Sequence, residues 1–304
     1  MTTEMQRGVY GAPPSELAEV PDDAVQLSPL VPGALRLEDM EGGLESLFML
    51  APPGTMERRY ALALGLRALV DGGELVAMAP KDKGGSRLAE ELAGFGVNVM
   101  ETSRRHHRIC YARRGPSLEA IEGAIEAGGP CFLAELDLWS QPGIFAFDRI
   151  DPGTALLLRH MTPLAGRGAD FGCGLGVIAS AVLKSAQVDA LSLIDIDRRA
   201  IEAARRNVTD PRADFRWADL RRSGSAPTGL DFVVMNPPFH DGGAEDRALG
   251  QRFIEQAAAS LRKGGTLWLT ANRHLPYEET LERHFGRVRV VVEEDGYKVF
   301  EAIR

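Results

Sequence analysis

The feature that most constrains the fold is a short apolar run that ends in two prolines. Residues Phe232 to Met235 are apolar and β-branched at their centre, which is typical of a buried strand in a parallel sheet. Pro237 and Pro238 cannot continue a strand, and Pro237 favours an extended conformation at Asn236. The pattern predicts a stiff corner at the carboxyl end of a strand, where open α/β sheets bind their ligands.

The side chains at this corner suit an amine attached to an aromatic ring. Asn236 offers an amide carbonyl and an NH2 group. The main-chain carbonyl of Pro237 has no strand partner and can face a ligand, and Phe239 offers a flat surface for stacking a base. Asn236, Pro237, Pro238 and Phe239 are therefore the candidate catalytic residues. The alternative is an ordinary turn at the end of a strand.

Composition narrows the class of protein. The chain has 304 residues, which suggests two domains, and no apolar run approaches the length of a membrane span. Its start lacks the basic-then-apolar order of a secretory signal. Cys110, Cys131 and Cys173 are scattered without metal-ligand spacing, which favours a reducing compartment, the cytoplasm, and no metal site. A net charge of −8 excludes a general polyanion binder.

From Gly168 onward, strand-like and helix-like segments alternate regularly. This order predicts an α/β fold with a Rossmann-like, doubly wound, mostly parallel sheet. The predicted elements are a strand to Asp170, a helix over Val177 to Lys184, a strand over Leu191 to Ile194, a helix over Arg199 to Asn207, a strand over Phe215 to Trp217, and a last strand over Tyr297 to Ile303.

An earlier part of the chain repeats the same landmarks, which indicates an internal duplication. The matched pairs are Leu50-Ala51-Pro52-Pro53 with Met235-Asn236-Pro237-Pro238, Asp71-Gly72-Gly73 with Lys263-Gly264-Gly265, Phe95-Gly96 with Phe285-Gly286, Arg108 with Lys298, and Ala112 with Ala302. The first copy has Ala51 in place of Asn236 and no glycine loop upstream. We therefore expect an irregular segment at 1–46, a degenerate and truncated copy without a cofactor site at 47–138, and the catalytic domain at 139–304.

A glycine-rich loop follows the predicted strand that ends at Asp170. Gly172, Gly174 and Gly176 let the backbone pass close to a ligand at a helix N-terminus. The third glycine follows the second after two residues, which departs from the spacing of dinucleotide-binding loops. Asp170 would repel a pyrophosphate and attract a cation. Both points favour S-adenosylmethionine, whose amino group and sulfonium are positively charged.

Carboxylates follow the next two strands. Asp195 can accept hydrogen bonds from both ribose hydroxyls, whereas Asp197 is interpreted as a helix N-cap. Asp219 is placed to meet an adenine amine, although a solvated turn residue is an equal alternative. The candidate cofactor-binding residues are Asp170, Gly172, Gly174, Gly176, Asp195, Asp219 and Asn236.

The order of these motifs is similar to that of one known family. The stretch from Asn236 to Gly242 resembles the motif of bacterial ribosomal-RNA guanine-N2 methyltransferases of the RsmC and RlmG type. Three further stretches agree, namely Pro142-Gly143-Ile144-Phe145 with Asp151-Pro152-Gly153-Thr154, Ala271 to Tyr277, and Tyr297 to Phe300. The resemblance covers about residues 139–304 well and about 44–114 weakly, as the family's degenerate first domain.

The resemblance implies a class I methyltransferase that transfers a methyl group from S-adenosylmethionine to the N2 amine of a guanine in ribosomal RNA, in particular 16S RNA. The substrate partner would be ribosomal RNA or a ribosomal subunit, with no membrane involved. Two alternatives stay open. One is N-methylation of DNA adenine or protein glutamine, and the other is a non-catalytic module of ribosome assembly.

Two further features have open interpretations. His240 is either a general base or a hydrogen-bonded turn residue. The basic run from Arg104 to Arg108, together with Arg113 and Arg114, is either an RNA-docking patch or a solvated strand end.

Overall fold

The chain forms two compact units. The computed structural model describes residues 6–238, 240–241, 244–245 and 247–304. Contacts divide the chain into Met1–Pro130 and Cys131–Arg304, whereas the sequence placed a boundary after residue 138. No helix in the described part of the chain combines the length and the apolar character that crossing a lipid bilayer requires.

The first unit contains a six-stranded sheet in the order β2-β1-β3-β4-β6-β5. Strands β1 to β4 run parallel, and β5 and β6 are antiparallel neighbours beside β4. Its elements are β1 (Gln6–Tyr10), β2 (Val25–Gln26), β3 (Leu44–Leu50), α1 (Thr55–Ala68), β4 (Leu69–Pro80), α2 (Leu88–Ala93), β5 (Val99–Arg104), β6 (His107–Arg113) and α3 (Ile121–Gly128).

The second unit contains a seven-stranded sheet in the order β11-β10-β9-β12-β15-β17-β16 and two small hairpins, β7-β8 and β13-β14. Its elements are β7 (Cys131–Leu133), β8 (Leu138–Ser140), α4 (Pro152–His160), β9 (Gly166–Phe171), α5 (Val177–Val182), β10 (Val188–Asp195), α6 (Arg198–Asn207), β11 (Ala213–Trp217), β12 (Leu230–Met235), β13 (His240–Asp241), β14 (Ala244–Glu245), α7 (Arg247–Ser260), β15 (Leu261–Asn272), α8 (Glu278–His284), β16 (Arg287–Glu294) and β17 (Tyr297–Ile303).

The two sheets have the same topology, which confirms the predicted doubly wound fold and its smaller copy. Strands β2-β1-β3-β4-β6-β5 match β10-β9-β12-β15-β17-β16 in order and in direction. Strands β4 and β15 each have 12 residues, and the order of buried and exposed residues along them is almost identical. The duplication inferred from a few glycines and prolines therefore extends over six strands of the second sheet, all except β11.

Within its described residues, the first unit lacks the outermost strand, the helix and the glycine loop that the second unit has. Among its described residues, no strand corresponds to β11, and no helix lies between β1 and β2. The glycine loop and α5 of the second unit occupy the corresponding place. The first unit therefore has the sheet of its counterpart without the loop that would approach a ligand.

The first 46 residues contain regular structure that the sequence analysis did not predict. Strand β1 pairs with both β2 and β3, and Tyr10 belongs to the apolar core of the first unit. The two strands are only five and two residues long, and prolines and acidic residues surround them. Segments this short carry no measurable hydrophobic period, so the sequence alone does not reveal them.

Strand β12 lies at the centre of the second sheet, between β9 and β15. Val233, Val234 and Met235 are completely buried, as expected for a strand covered on both faces. The ring of Phe232 lies over Gly168 on β9, where any Cβ atom would overlap it. This close packing fixes the register of β9 and β12 and so places Asn236 beside the loop that follows Phe171.

A buried arginine contacts the proline corner of the first unit, which is the turn formed by Ala51, Pro52 and Pro53 after β3. Arg58 on α1 is 1% exposed, and its guanidinium donates at 2.7 Å to each oxygen of Glu91. It also donates to the main-chain oxygens of Pro52 and Pro53, at 3.3 Å and 2.7 Å. The carbonyls that would face a ligand in an active copy are thus satisfied from within the unit.

We predict that Glu91→Ala destabilises the first unit by about 3 kcal/mol, because it leaves the buried Arg58 guanidinium without its counter-charge. Urea unfolding followed by circular dichroism measures the loss. Glu90→Ala is the matched control, since Glu90 lies on the same helix and is exposed. Equal stability of the two variants would contradict the importance of the ion pair.

Candidate active site

The proline corner stands where the sequence predicted it. Strand β12 ends at Met235, and Asn236 follows in a half-buried position. Pro237 is buried and Pro238 is exposed. Phe239 lies outside the described residues, so its stacking role stays a prediction. His240 lies in β13, and both of its interpretations, as a general base and as a hydrogen-bonded turn residue, stay open.

The amide of Asn236 is held by two groups at the start of α4. Its Nδ2 donates to Asp151 Oδ2 at 2.8 Å and to Thr154 Oγ1 at 3.0 Å. A carboxylate only accepts hydrogen bonds, so the nitrogen of the amide must face α4. Both N–H donors of the amide are used within the protein, and Oδ1 is its remaining polar atom.

The glycine loop lies between β9 and α5. Gly172, Gly174 and Gly176 have φ angles of 73°, 51° and 81°, in the left-handed region that glycine adopts without strain. A Cβ atom at Gly174 would meet no atom within 4 Å, whereas one at Gly176 would lie 2.9 Å from Val208 Cγ2. Gly176 therefore permits packing against the protein, and Gly174 borders open space.

Asp195 ends β10 and joins the glycine loop to the next helix. Its Oδ2 accepts from the Gly174 N–H and its Oδ1 from the Asp197 N–H, both at 2.9 Å. Burial raises the pKa of Asp195 to about 6. A carboxylate has about four acceptor positions, so each oxygen keeps capacity for a ligand hydroxyl. Asp197 caps α6 by accepting from the Arg199 N–H, which confirms its interpretation as an N-cap.

Asp170 is a buried acid. It has no exposed surface, and neither carboxylate oxygen makes a hydrogen bond of normal geometry among the described residues, although the main chain of Ala179 acts to lower its pKa. Burial, and then the nearby Asp195, raises the pKa of Asp170 to about 8. A positively charged ligand nearby would favour ionisation of both acids. This site therefore fits the cationic cofactor that the sequence predicted.

The carboxylate of Asp219 is engaged by its neighbour. Its Oδ1 accepts from the main-chain N–H and the Nε of Arg221, at 3.0 Å and 2.8 Å, and its Oδ2 accepts from Nη2 at 3.0 Å. Burial opposes ionisation, but the hydrogen bonds from Arg221 prevail and lower the pKa of Asp219. Asp219 is thus a turn residue that is hydrogen-bonded and largely buried, not solvated, and its contact with an adenine amine stays a prediction. An adenine amine would have to share these oxygens.

The basic run at 104–108 lies around the turn of the β5-β6 hairpin in the first unit. Two of its arginines form ion pairs within that unit, Arg105 with Glu16 at 2.7 Å and Arg108 with Glu101 at 3.0 Å. These pairs favour the interpretation as a solvated strand end, because the positive charges of Arg105 and Arg108 are compensated within the unit.

Asp151 and Thr154 were not among the candidate site residues predicted from the sequence. Asp151 followed by a proline is a recognisable helix start, because Asp is a good N-cap and proline is favoured at the first helical position. That pattern predicts the beginning of α4. It contains no information about the contact with Asn236, which lies 85 positions away in the chain.

Comparisons with known proteins agree with this geometry. The family described as methyltransferase small domain matches residues 135–301. The ribosomal RNA small subunit methyltransferase C of Pseudomonas paraeruginosa is 33% identical over 323 residues, covering 98% of this chain and 97% of that protein. Its counterpart in Shewanella loihica is 32% identical over 248 residues, covering 79% of this chain and 72% of that protein.

A solved structure has the same fold. It is the Thermus thermophilus 16S rRNA N2 G1207 methyltransferase (RsmC) in complex with AdoMet and guanosine, with a TM-score of 0.78 and 22% identity. The match covers 98% of this chain and 88% of that chain.

We predict that Asp170 makes the ligand-free protein less stable as the pH rises. An unfolded Asp ionises near pH 3.8, whereas folded Asp170 keeps its proton up to about pH 8. Its contribution to the free energy of unfolding is fully present below pH 3.8 and is lost as the pH rises from there through 8. Asp170→Asn should therefore flatten the fall in the free energy of unfolding, measured by urea unfolding at several pH values. The exposed Asp189→Asn is the control, and an unchanged slope in Asp170→Asn would contradict the prediction.

Proposed function

The chain belongs to the methyltransferase small domain family, with the small-subunit ribosomal RNA methyltransferases C among its relatives, and we propose that it methylates ribosomal RNA. The proposed reaction is transfer of a methyl group from S-adenosylmethionine to the exocyclic N2 amine of a guanine in small-subunit RNA. The observation that carries the proposal is the Asn236 amide, held at the end of the central strand beside the glycine loop.

The residues around the glycine loop fit the cofactor. S-adenosylmethionine, when bound, supplies an electrophilic methyl group on a positively charged sulfonium. The buried carboxyl of Asp170 would compensate positive charge, since it makes no hydrogen bond of normal geometry among the described residues. Asp195 would accept the ribose hydroxyls at the remaining acceptor positions of its carboxylate. The open space at Gly174 would let the backbone approach the ligand closely.

The corner at Asn236 suits an exocyclic amine as the methyl acceptor. The amine of guanine is a poor nucleophile, because its lone pair is delocalised into the ring. Asn236 Oδ1 and the carbonyl of Pro237 would accept its two N–H protons and favour a pyramidal nitrogen. The lone pair of that nitrogen could then be aimed at the methyl group, so that positioning contributes most of the rate. No strong base is needed before transfer, since the methylated amine loses a proton readily.

The second candidate reaction is methylation of DNA adenine or of protein glutamine at the same corner. The relative from Pseudomonas paraeruginosa, which is named for ribosomal RNA, covers nearly the whole chain and favours an RNA substrate. A ribosomal RNA substrate would place the protein in the cytoplasm. The three free cysteines are consistent with a reducing compartment.

We predict that Asn236→Ala lowers the rate of methyl transfer by roughly a hundredfold, or about 3 kcal/mol, while the Kd of the cofactor stays nearly constant. Asn236→Asp should be almost as damaging, because it removes the NH2 donor and brings a second carboxylate against Asp151. Single-turnover rates with saturating S-adenosylmethionine and ribosomal RNA test both variants. Wild-type rates in both would exclude this corner as the catalytic site.

We predict that Asp195→Ala weakens cofactor binding by about tenfold or more, because the ribose hydroxyls lose a charged acceptor. Calorimetric titration with S-adenosylmethionine measures the Kd directly. Asp214→Ala is the control, since Asp214 lies on the adjacent strand β11 and pairs only with the exposed Arg216 among its described contacts. An unchanged Kd in Asp195→Ala would show that other residues bind the ribose hydroxyls.

A further inference from the structure

One oxygen of Asp151, the N-cap residue of α4, accepts two hydrogen bonds. Asp151 Oδ2 accepts from the Thr154 main-chain N–H at 2.9 Å, which caps the helix. The same oxygen accepts from Asn236 Nδ2 at 2.8 Å. Thr154 adds its Oγ1 at 3.0 Å from the same nitrogen. A helix start and the amide at the end of the central strand are therefore parts of one hydrogen-bond network.

This network determines which atom of the amide faces the acceptor. A rotation of the amide by half a turn would bring Oδ1 against the Asp151 carboxylate, where two acceptors repel each other. The carboxylate also strengthens the amide as an acceptor, because hydrogen bonds in series polarise one another. Asn236 is thus held with its oxygen away from α4, ready to accept from an amine.

The start of α4 is itself fixed by close packing against β17. A Cβ atom at Gly153 would lie 2.7 Å from the ring of Tyr297, so the helix backbone packs directly on that ring. Tyr297 pairs with Asn272 on the central side of the sheet. Asp151 is therefore held by the sheet as well as by its own helix.

The corner of the first unit lacks this arrangement. Ala51 stands at the position of Asn236 and has no side-chain donor for an N-cap carboxylate. There, the carbonyls of Pro52 and Pro53 accept from Arg58. Within the described parts of the two units, the N-cap contact is thus found at the corner that has the asparagine.

We propose that Asp151 is a positioning residue for methyl transfer. It holds the Asn236 amide so that Oδ1, and not Nδ2, faces the substrate amine and accepts a hydrogen bond from it. The proposal rests on the function proposed above, since it concerns the same site. Asp151 would not touch the substrate. Its contribution would be to orient Asn236 and to stabilise, through the amide, the positive charge that develops on the amine nitrogen.

The first test separates helix capping from amide positioning. Serine is a good N-cap but is too short to keep both contacts, so Asp151→Ser should keep α4 capped and release Asn236. We expect kcat to fall roughly tenfold or more while the KM for S-adenosylmethionine stays constant. Asp148→Ser is the matched control, because Asp148 lies in the same loop and pairs with Arg149. Wild-type kcat in Asp151→Ser would overturn the proposal.

The second test exchanges the two partners. Asn236→Asp alone places two carboxylates against each other. Combining it with Asp151→Asn restores one NH2 donor and one carboxylate acceptor in exchanged positions, while Asn still caps the helix. We expect the double variant to transfer methyl groups several-fold faster than Asn236→Asp alone. A double variant no faster than the single one would overturn the proposal, because a merely structural N-cap gives no such rescue.

A third measurement does not depend on the substrate. The side-chain NH2 signals of Asn236, assigned by their loss in Asn236→Asp, should exchange with solvent slowly in the wild type and faster in Asp151→Ser. Equal exchange in both would overturn the proposal. If the wild type transfers no methyl group to ribosomal RNA, the proposed function fails, and this measurement still decides whether Asp151 holds the amide.

Discussion

The hydrogen bond from the Asn236 amide to the Asp151 carboxylate joins the elements on which the candidate active site depends. It connects the start of α4 to the end of β12, the central strand of the second sheet. On the other side of β12, Asp195 ties β10 to the glycine loop through the Gly174 N–H. A rigid sheet therefore presents an oriented amide beside a glycine loop that borders open space at Gly174, which suits catalysis by positioning.

The two units show which parts of the fold serve stability and which serve chemistry. The shared sheet topology and the matching strands β4 and β15 keep a buried core in both. The glycine loop is found only in the second unit, within the described residues, and Ala51 replaces Asn236 in the first. Arg58 satisfies the proline corner of the first unit from inside. In the first unit, a side chain of the protein thus forms the hydrogen bonds at the corner, so that no ligand is needed to satisfy its carbonyls.

Local patterns in the sequence predicted much of the fold and of the site. The strand before Asn236, the glycine loop and the N-cap Asp197 were predictable because each depends on neighbouring residues. Strands β1 and β2 were missed because they are too short to show a period. Asp219 was interpreted as an adenine contact or as a solvated turn residue, and its pairing with Arg221 was not predicted. The contact of Asp151 with Asn236 was not predictable, because only the folded sheet brings residues 85 positions apart together.

The identity of the methylated group tests the central claim most directly. Purified protein would be incubated with S-adenosylmethionine carrying a labelled methyl group and with small ribosomal subunits from cells that lack the gene. The RNA is then digested to nucleosides and the proteins are separated. We expect the label to appear in N2-methylguanosine. Label in N6-methyladenosine or in ribosomal protein, or no transfer at all, would contradict it.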